Sequence, residues 1–202
     1  PREPFKLRKK GIVDYDVDHI TRLKLETPAE TVVIRRLAKK KWDMWVTPRG
    51  GKKFQMPSRH KHIDDVLWDI KWSNAVEFVD EPGKDLGKHR LGPKDTRRAT
   101  VWIKEKKDGP EVKKTLLLGA LVDKKKAYGR LDGEKRLFAF SKKDIDKIFR
   151  TSFHLSDRLL AKFSKTDEIV KVVIKFPGGG GEASLRRSGE GWAADKPAGR
   201  KG

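Results

Sequence analysis

Short runs of alternating apolar and polar residues recur along the chain, and most end at a proline, a glycine or an aspartate–glycine pair. Alternation with a period of two is the pattern of a strand with one buried and one solvated face. Arg98–Ile103 and Val112–Leu118 show it most clearly, with Asp108-Gly109 as the turn between them. Because such turns are short, neighbouring strands should pair antiparallel. The pattern predicts an α+β protein of mostly antiparallel sheet meanders with a few short helices.

The same criteria predict further strands at Ile20–Leu25, Thr31–Ile34, Trp42–Val46, Ala75–Val79, Ala127–Leu131, Arg136–Phe140, Glu168–Phe176 and Ala183–Arg187. One longer helix is predicted from Ser58, as N-cap, to about Ser73. Its apolar residues Ile63, Val66, Leu67 and Ile70 are spaced i, i+3, i+4 and i+7, which places them on one helical face. Two shorter helices are predicted at Lys142–Phe149, capped by Ser141, and at Ser156–Phe163, capped by Ser156.

An internal repeat relates the two ends of the chain. Asp18–Leu25 resembles Asp167–Ile174, 149 positions later, and the pairs Pro28/Pro177 and Pro48/Pro197 keep that offset. Repeats indicate an arrayed, repeat-type architecture. We therefore predict a complete module at residues 1–165 and the opening hairpin of a second, truncated repeat at residues 166–202.

A hairpin alone is marginal in water, so the second one should bury an apolar face. The residues expected on that face are Val172, Ile174 and Leu185, with Trp192 covering them. The four glycines Gly178–Gly181 are interpreted as its turn. They lack the Lys-Ser/Thr pair and the helix that a phosphate-binding loop needs.

The charge indicates an anionic partner. Forty-nine Lys and Arg residues outnumber 29 Asp and Glu residues, which gives a net charge of +20. Such an excess favours nucleic acid, acidic lipid, an acidic protein or another polyanion. Two basic runs lie beside aromatic residues, where phosphate contact could combine with base stacking. The candidate anion contacts are Lys39, Lys40 and Lys41 beside Trp42, and Lys124, Lys125 and Lys126 beside Tyr128. Ordinary solvated loops explain both runs equally well.

Two tryptophans on the longest predicted helix indicate an interface. At about 100° per residue, Trp68 and Trp72 fall roughly opposite the apolar stripe and one turn apart. Leaving two indoles in water is costly, so they should cover another layer of this module or a partner.

The residues that could support catalysis or metal binding have simpler explanations. The chain has no cysteine, which excludes thiol chemistry and Cys-based zinc sites. Residues two apart on a helix point in different directions, so His60 and His62 make poor joint ligands. We predict no enzyme, no cofactor and no metal site. Two further groups contain the residue types of a calcium loop and of a catalytic triad: Asp14, Asp16 and Asp18, interpreted as a strand entry, and His154, Ser156 and Asp157, interpreted as a helix cap.

Four segments, in their order along the chain, resemble a bacterial family called domain of unknown function 4340. They are Leu86–Gly92, Thr115–Gly119, Ala127–Asp132 and Leu137–Phe140. The resemblance covers nearly the whole chain. It implies a repeat-type protein facing the cell envelope, often tethered by an N-terminal membrane segment and encoded beside ABC-type export or gliding-type transport components. It implies no catalytic residues.

These observations predict a non-catalytic interaction or scaffold module of a bacterial envelope or membrane-associated assembly. The alternative is a basic binder of an anionic polymer such as nucleic acid. The expected partner is a protein, possibly acidic. No run approaches the roughly 20 apolar residues of a membrane helix, so contact with a membrane would need a segment outside this chain. The first residue is Pro1 rather than Met, so we expect a preceding segment. The predicted location is periplasmic or membrane-anchored, with the cytoplasm as the alternative.

Overall fold

A computed structural model describes residues 11–79, 86–92, 96–106, 108–122, 124–158, 169–175 and 182–196. It confirms an α+β fold dominated by antiparallel sheets. The chain divides into two compact units, Pro1–Arg158 (unit 1) and Leu159–Gly202 (unit 2). The boundary predicted after residue 165 lies outside the described residues and stays a prediction.

The described strands of unit 1 form one nine-stranded sheet, ordered β4-β3-β2-β1-β6-β7-β8-β9-β5 with every neighbouring pair antiparallel. The strands are β1 (Ile20–Glu26), β2 (Glu30–Ala38), β3 (Lys41–Pro48), β4 (Phe54–Met56), β5 (Glu77–Val79), β6 (Arg97–Ile103), β7 (Val112–Leu118), β8 (Lys126–Leu131) and β9 (Leu137–Ser141). The helices are α1 (His60–Trp72), α2 (Lys142–Ile148) and α3 (Ser152–Leu155), and short 3₁₀ turns lie at Val17–His19 and Leu86–His89.

The core of unit 1 lies between one face of this sheet and helix α1. Alternate strand residues such as Leu23, Ile34 and Met44 are fully buried there. The predicted apolar stripe of α1 joins the same cluster, and Ile63, Val66, Leu67 and Ile70 are at most 1% exposed. Across β2, β1, β6 and β7 the other sheet face carries polar residues such as Arg35, Arg22 and Lys113, and we call this part the open face; β9, farther along the sheet, is buried on both faces. One packed and one solvated face is the usual arrangement of an antiparallel sheet.

Two of the three predicted helix caps are wrong. The N-cap of α1 is Arg59, which makes no side-chain capping bond, because the Ser58 hydroxyl instead donates to the backbone carbonyl of Trp42 at 2.7 Å. Ser156 ends α3 rather than beginning a helix, and its hydroxyl donates to the Phe153 carbonyl. Residues 159–163 of that predicted helix lie outside the described residues. Ser141 does cap α2, accepting from the Asp144 backbone N–H at 3.2 Å.

Unit 2 contains the strands β10 (Lys171–Lys175), β11 (Glu182–Ser188) and β12 (Gly191–Lys196), which form a three-stranded sheet in that order. The pairing of β10 with β11 reproduces that of β1 with β2, as the sequence repeat predicts; the third strand, β12, is not among the predicted strands. Leu23 pairs with Ile34 in unit 1, and Val172 pairs with Leu185 in unit 2.

The third strand continues the match between the two units. Arg36 lies opposite Trp42, and Arg187 lies opposite Trp192. The repeat is therefore visible in strand register as well as in sequence.

The expected burial of the unit 2 hairpin is wrong. Val172 is half-buried, whereas Ile174 is 46% exposed, Leu185 37% and Trp192 47%. Trp192 lies in the third strand rather than over the other two. In unit 1 the matching residues Leu25 and Ile34 are covered by the core around α1. The glycines Gly178–Gly181 lie outside the described residues.

Candidate interaction surfaces

The outer side of helix α1 displays the two tryptophans that the sequence predicted there. Trp68 is 43% exposed and Trp72 is 66% exposed. Their rings stack with centroids 6.2 Å apart and planes 11° from parallel. The Lys71 ammonium lies 5.1 Å from the Trp68 ring centroid and 5.8 Å from that of Trp72. The two rings and this cation form one amphipathic patch, which we call the tryptophan patch.

Contacts on both sides of α1 fix the direction in which the tryptophan patch points. The Tyr15 hydroxyl donates to the Leu67 backbone carbonyl at 2.6 Å, and burial raises the pKa of Tyr15 above its ordinary value. The Arg150 guanidinium binds the Asp69 carboxylate at 2.9 Å. With Leu67 and Ile70 fully buried, α1 cannot rotate to bury the tryptophans without exposing its apolar stripe.

The first predicted basic run lies in the β2–β3 turn. Lys39, Lys40 and Lys41 are exposed, and Lys40 takes the left-handed conformation (φ 60°) that closes the hairpin. The structure does not place an available aromatic ring beside them. Trp42 is only 6% exposed, and the Arg36 guanidinium lies 4.3 Å from its ring centroid. The combined lysine and aromatic site predicted here is therefore wrong, although the three cations remain exposed.

The second predicted run is partly occupied by contacts within the fold. Lys124 and Lys125 are exposed, but the Lys126 ammonium is ion-paired with Glu77. The Tyr128 hydroxyl also donates to Glu77, at 3.0 Å, and its ring packs against His89 with centroids 4.8 Å apart. The hydrogen bond from Lys126, and secondarily that from Tyr128, holds the pKa of Glu77 below its ordinary value. The hydrogen bond that Lys126 makes to Glu77 in turn raises the pKa of Lys126.

This cluster predicts an acid-dependent contribution to stability. Because the folded-state pKa of Glu77 lies below the unfolded value of 4.5, its contribution is present above pH 4.5 and is lost as the pH falls through the folded pKa. The Glu77→Gln variant should therefore lose more stability at pH 7 than at pH 3. Urea unfolding at both values measures this, and the effect should be below about 1 kcal/mol because the pair is partly solvated. An equal loss at both pH values would contradict the assignment.

A third surface, which sequence reasoning missed, is the open face of the nine-stranded sheet. Strand register aligns Arg35 (β2), Arg22 (β1), Trp102 (β6) and Lys113 (β7), each directly opposite the next. The Arg22 guanidinium lies 4.4 Å from the Trp102 ring centroid and 3.3 Å from the Glu111 carboxylate. We call these four residues the cationic row.

Further polar residues surround the cationic row. Lys24 pairs with Glu26 at 2.8 Å, and the Thr100 and Thr115 hydroxyls are hydrogen-bonded at 3.1 Å. Arg98 and Arg130 lie farther along β6 and β8. A depression of about 490 Å³ is lined by Lys24, Glu26, Arg98, Thr100, Trp102, Lys113, Thr115, Leu117, Arg130 and Asp132. The open face is therefore basic, and Trp102 lies within it.

The groups considered for chemistry are engaged in structural contacts. Asp16 caps the turn at Val17–His19 by accepting from the Asp18 N–H at 3.0 Å. His60 pairs with Asp64 at 3.0 Å, whereas the Nδ1 of His62 lies 2.6 Å from the His154 carbonyl, so the two histidines face different partners. Within the described ranges, no three His, Asp or Glu side chains are grouped so that they could hold a metal ion.

The residues considered for a triad also have other partners. His154 Nδ1 lies 2.9 Å from the Thr151 hydroxyl, and the Ser156 hydroxyl bonds to the Phe153 carbonyl. Neither bond joins the histidine to the serine. A nucleophile needs a base within hydrogen-bond reach, and the bonds that His154 and Ser156 make here do not provide that arrangement.

Comparison with known proteins gives no relative for this chain: no family model, no curated protein and no solved structure matches it. Across the described part of the chain, every helix is too short or too polar to cross a membrane.

Proposed function

We propose that this chain is a non-catalytic interaction module that docks onto a protein partner through the tryptophan patch on α1. The observation that supports this most directly is the exposure of two stacked indoles on the side of α1 that faces away from the core. Exposed tryptophans that face away from a core are typical anchors of protein interfaces, where Trp, Tyr and Arg contribute most of the binding energy.

The tryptophan patch is preorganised for docking. Trp68 and Trp72 are already stacked, and α1 is held by its buried stripe and by the Arg150–Asp69 ion pair. A partner therefore orders few side chains on binding, which lowers the entropic cost of association. Burial of the two rings would supply the apolar centre of the interface. The Lys71 ammonium beside both rings would favour a carboxylate of the partner at its edge.

The proposed setting is an assembly of the bacterial cell envelope. This part rests on the resemblance of Leu86–Gly92, Thr115–Gly119 and Ala127–Asp132 to the domain of unknown function 4340 family. The repeated strand register of units 1 and 2 agrees with a repeat-type scaffold. A scaffold presents surfaces rather than a reaction centre, as the engaged histidines and hydroxyls of unit 1 also suggest.

The double variant Trp68→Ser/Trp72→Ser tests the proposal. Because both rings are exposed, the free energy of unfolding in urea should change by no more than about 1 kcal/mol. Association should weaken by about 2 kcal/mol or more, since interface tryptophans are frequent hot spots. The measurement is the apparent size of the complex that the protein forms in extracts of its source cells, compared between wild type and variant.

A matched control is Phe54→Ser/Phe153→Ser, which removes two exposed aromatic residues outside the tryptophan patch. This control should keep the complex. If both double variants shift the complex equally, or if neither does, the tryptophan patch is not the docking surface and the proposal fails.

A further inference from the structure

We infer that the open face binds single-stranded nucleic acid, with the cationic row Arg35–Arg22–Trp102–Lys113 at its centre. This function is independent of the tryptophan patch, since the row lies on the sheet face opposite α1. None of the four residues belongs to the basic runs that the sequence singled out.

The charges of the cationic row favour an anionic ligand. Arg22 and Arg35 lie directly opposite each other on paired strands, and like charges at such positions destabilise a sheet. Glu111 pairs with Arg22, whereas Arg35 is exposed and has no ion-pair partner among the residues that the structure describes. Lys113, at the other end of the row, is also exposed and lacks such a partner within the described ranges. A bound phosphate chain would relieve this repulsion.

The aromatic member of the row favours a nucleic acid over other polyanions. Trp102 is half-buried, so its ring is held in position within the sheet. The Arg22 guanidinium, 4.4 Å from the Trp102 ring centroid, adds a second planar group, and this one is positively charged. Unpaired bases stack on aromatic rings and on arginine planes, while their phosphates contact neighbouring Lys and Arg side chains. Neither an acidic peptide nor a polyphosphate has bases that could stack on Trp102 and Arg22.

The shape and extent of the surface fit an extended strand. Three inter-strand spacings of about 4.8 Å give the cationic row a length of about 14 Å. Arg98, exposed and without an ion-pair partner among the described residues, lies on the same face beyond Trp102. The depression of about 490 Å³ beside the row is lined by Arg98, Lys113 and Arg130 among others. The carboxylate of Glu26 there is paired with Lys24, so it adds less repulsion than a free carboxylate would.

The experiment compares two triple variants that each remove three positive charges. The open-face variant is Arg35→Ala/Arg98→Ala/Lys113→Ala, and the turn variant is Lys39→Ala/Lys40→Ala/Lys41→Ala. The probe is a labelled oligothymidylate of about 12 nucleotides, within the range that one sheet-based module covers. We expect the open-face variant to bind about tenfold more weakly or worse, and the slope of log K against log salt to fall by about 2. The turn variant should stay within about threefold of wild type.

Trp102 is tested separately, because stacking and charge have different signatures. Trp102→Leu should weaken binding about tenfold without changing the salt slope, and Trp102→Phe, which keeps a ring, should restore most of it. Thermal unfolding of each variant confirms that the sheet is intact. Equal losses in both triple variants, or undetectable binding at low salt, would overturn the inference. Equal binding of polyglutamate or of duplex DNA would assign the face to another class of polyanion.

Discussion

Replacement of Leu67 by alanine should lower the free energy of unfolding of unit 1 by about 2 to 5 kcal/mol, the range for a fully buried leucine. Leu67 has no exposed surface, and its backbone carbonyl accepts the Tyr15 hydroxyl bond. The truncation would leave a cavity between α1 and the sheet. Urea unfolding followed by circular dichroism measures the change, and the midpoint of thermal unfolding should drop by roughly 5 to 15 °C.

The adjacent residue provides the control for Leu67. Trp68→Ala removes a larger side chain, but that side chain is on the outer side of α1. It should therefore change the free energy of unfolding by about 1 kcal/mol or less. If Trp68→Ala were the more damaging of the two, the assigned orientation of α1 would be wrong, and with it the tryptophan patch.

Replacement of Gly129 by alanine, which adds one methyl group, should lower the free energy of unfolding more than the matched replacement of Gly92. A Cβ at this position would clash with the Leu117 carbonyl oxygen and would lie 2.5 Å from Leu118 Cδ2. Gly129 pairs with Leu118 on one side and Phe138 on the other, so β8 cannot move away without disturbing β7 or β9. Overpacking of a filled core costs about 1 to 3 kcal/mol, and a rigid backbone carbonyl places this case at the upper end.

Gly92→Ala is the matched control for Gly129→Ala. A Cβ at Gly92 would meet nothing within 4 Å, and the residue has no positive φ that would strain an alanine. Its stability should be unchanged or raised by up to about 1 kcal/mol, since alanine restricts the unfolded chain. Equal losses at Gly92 and Gly129, measured by urea unfolding, would contradict the close β7–β8–β9 packing.

The sequence predicts α1 well because its signal is local. The residues Ile63, Val66, Leu67 and Ile70 repeat with helical spacing, and that spacing alone determines which side is buried and which side carries Trp68. The N-cap could not be predicted in the same way. Ser58 has the right chemistry, but the Trp42 carbonyl, 16 positions earlier, takes its hydroxyl. A competitor distant in sequence is invisible before the strands are placed.

The contrast between local and long-range signals also explains why the sequence misjudged the anion-binding candidates. Lys41 and Trp42 are adjacent in sequence, which suggested a joint site, but neighbouring strand residues point to opposite faces, and Trp42 is buried. The cationic row is the reverse case, in which residues distant in sequence are brought together by the fold. Arg22, Arg35, Trp102 and Lys113 are far apart in sequence and each resembles an ordinary solvated strand residue. Only the register of four strands brings them into line.

The repeat shows what sequence similarity can and cannot predict. It predicts the pairing of β10 with β11, since strand register follows the residue pattern. It does not predict burial, because the cover over β1–β3 comes from α1, a separate segment. Ile174, Leu185 and Trp192 are residue types that are usually buried, but in unit 2 they are exposed.

Site-specific photo-crosslinking in the source cells tests the central claim most directly. A photoreactive phenylalanine analogue would be placed at Trp68 or Trp72, and at the control positions Phe54 and Phe153, which are also exposed aromatic residues. If α1 docks through the tryptophan patch, positions 68 and 72 should crosslink to the same single protein, and positions 54 and 153 should not. Crosslinks of equal yield from all four positions, or none from positions 68 and 72, would contradict the claim that this chain is an interaction module docking through α1.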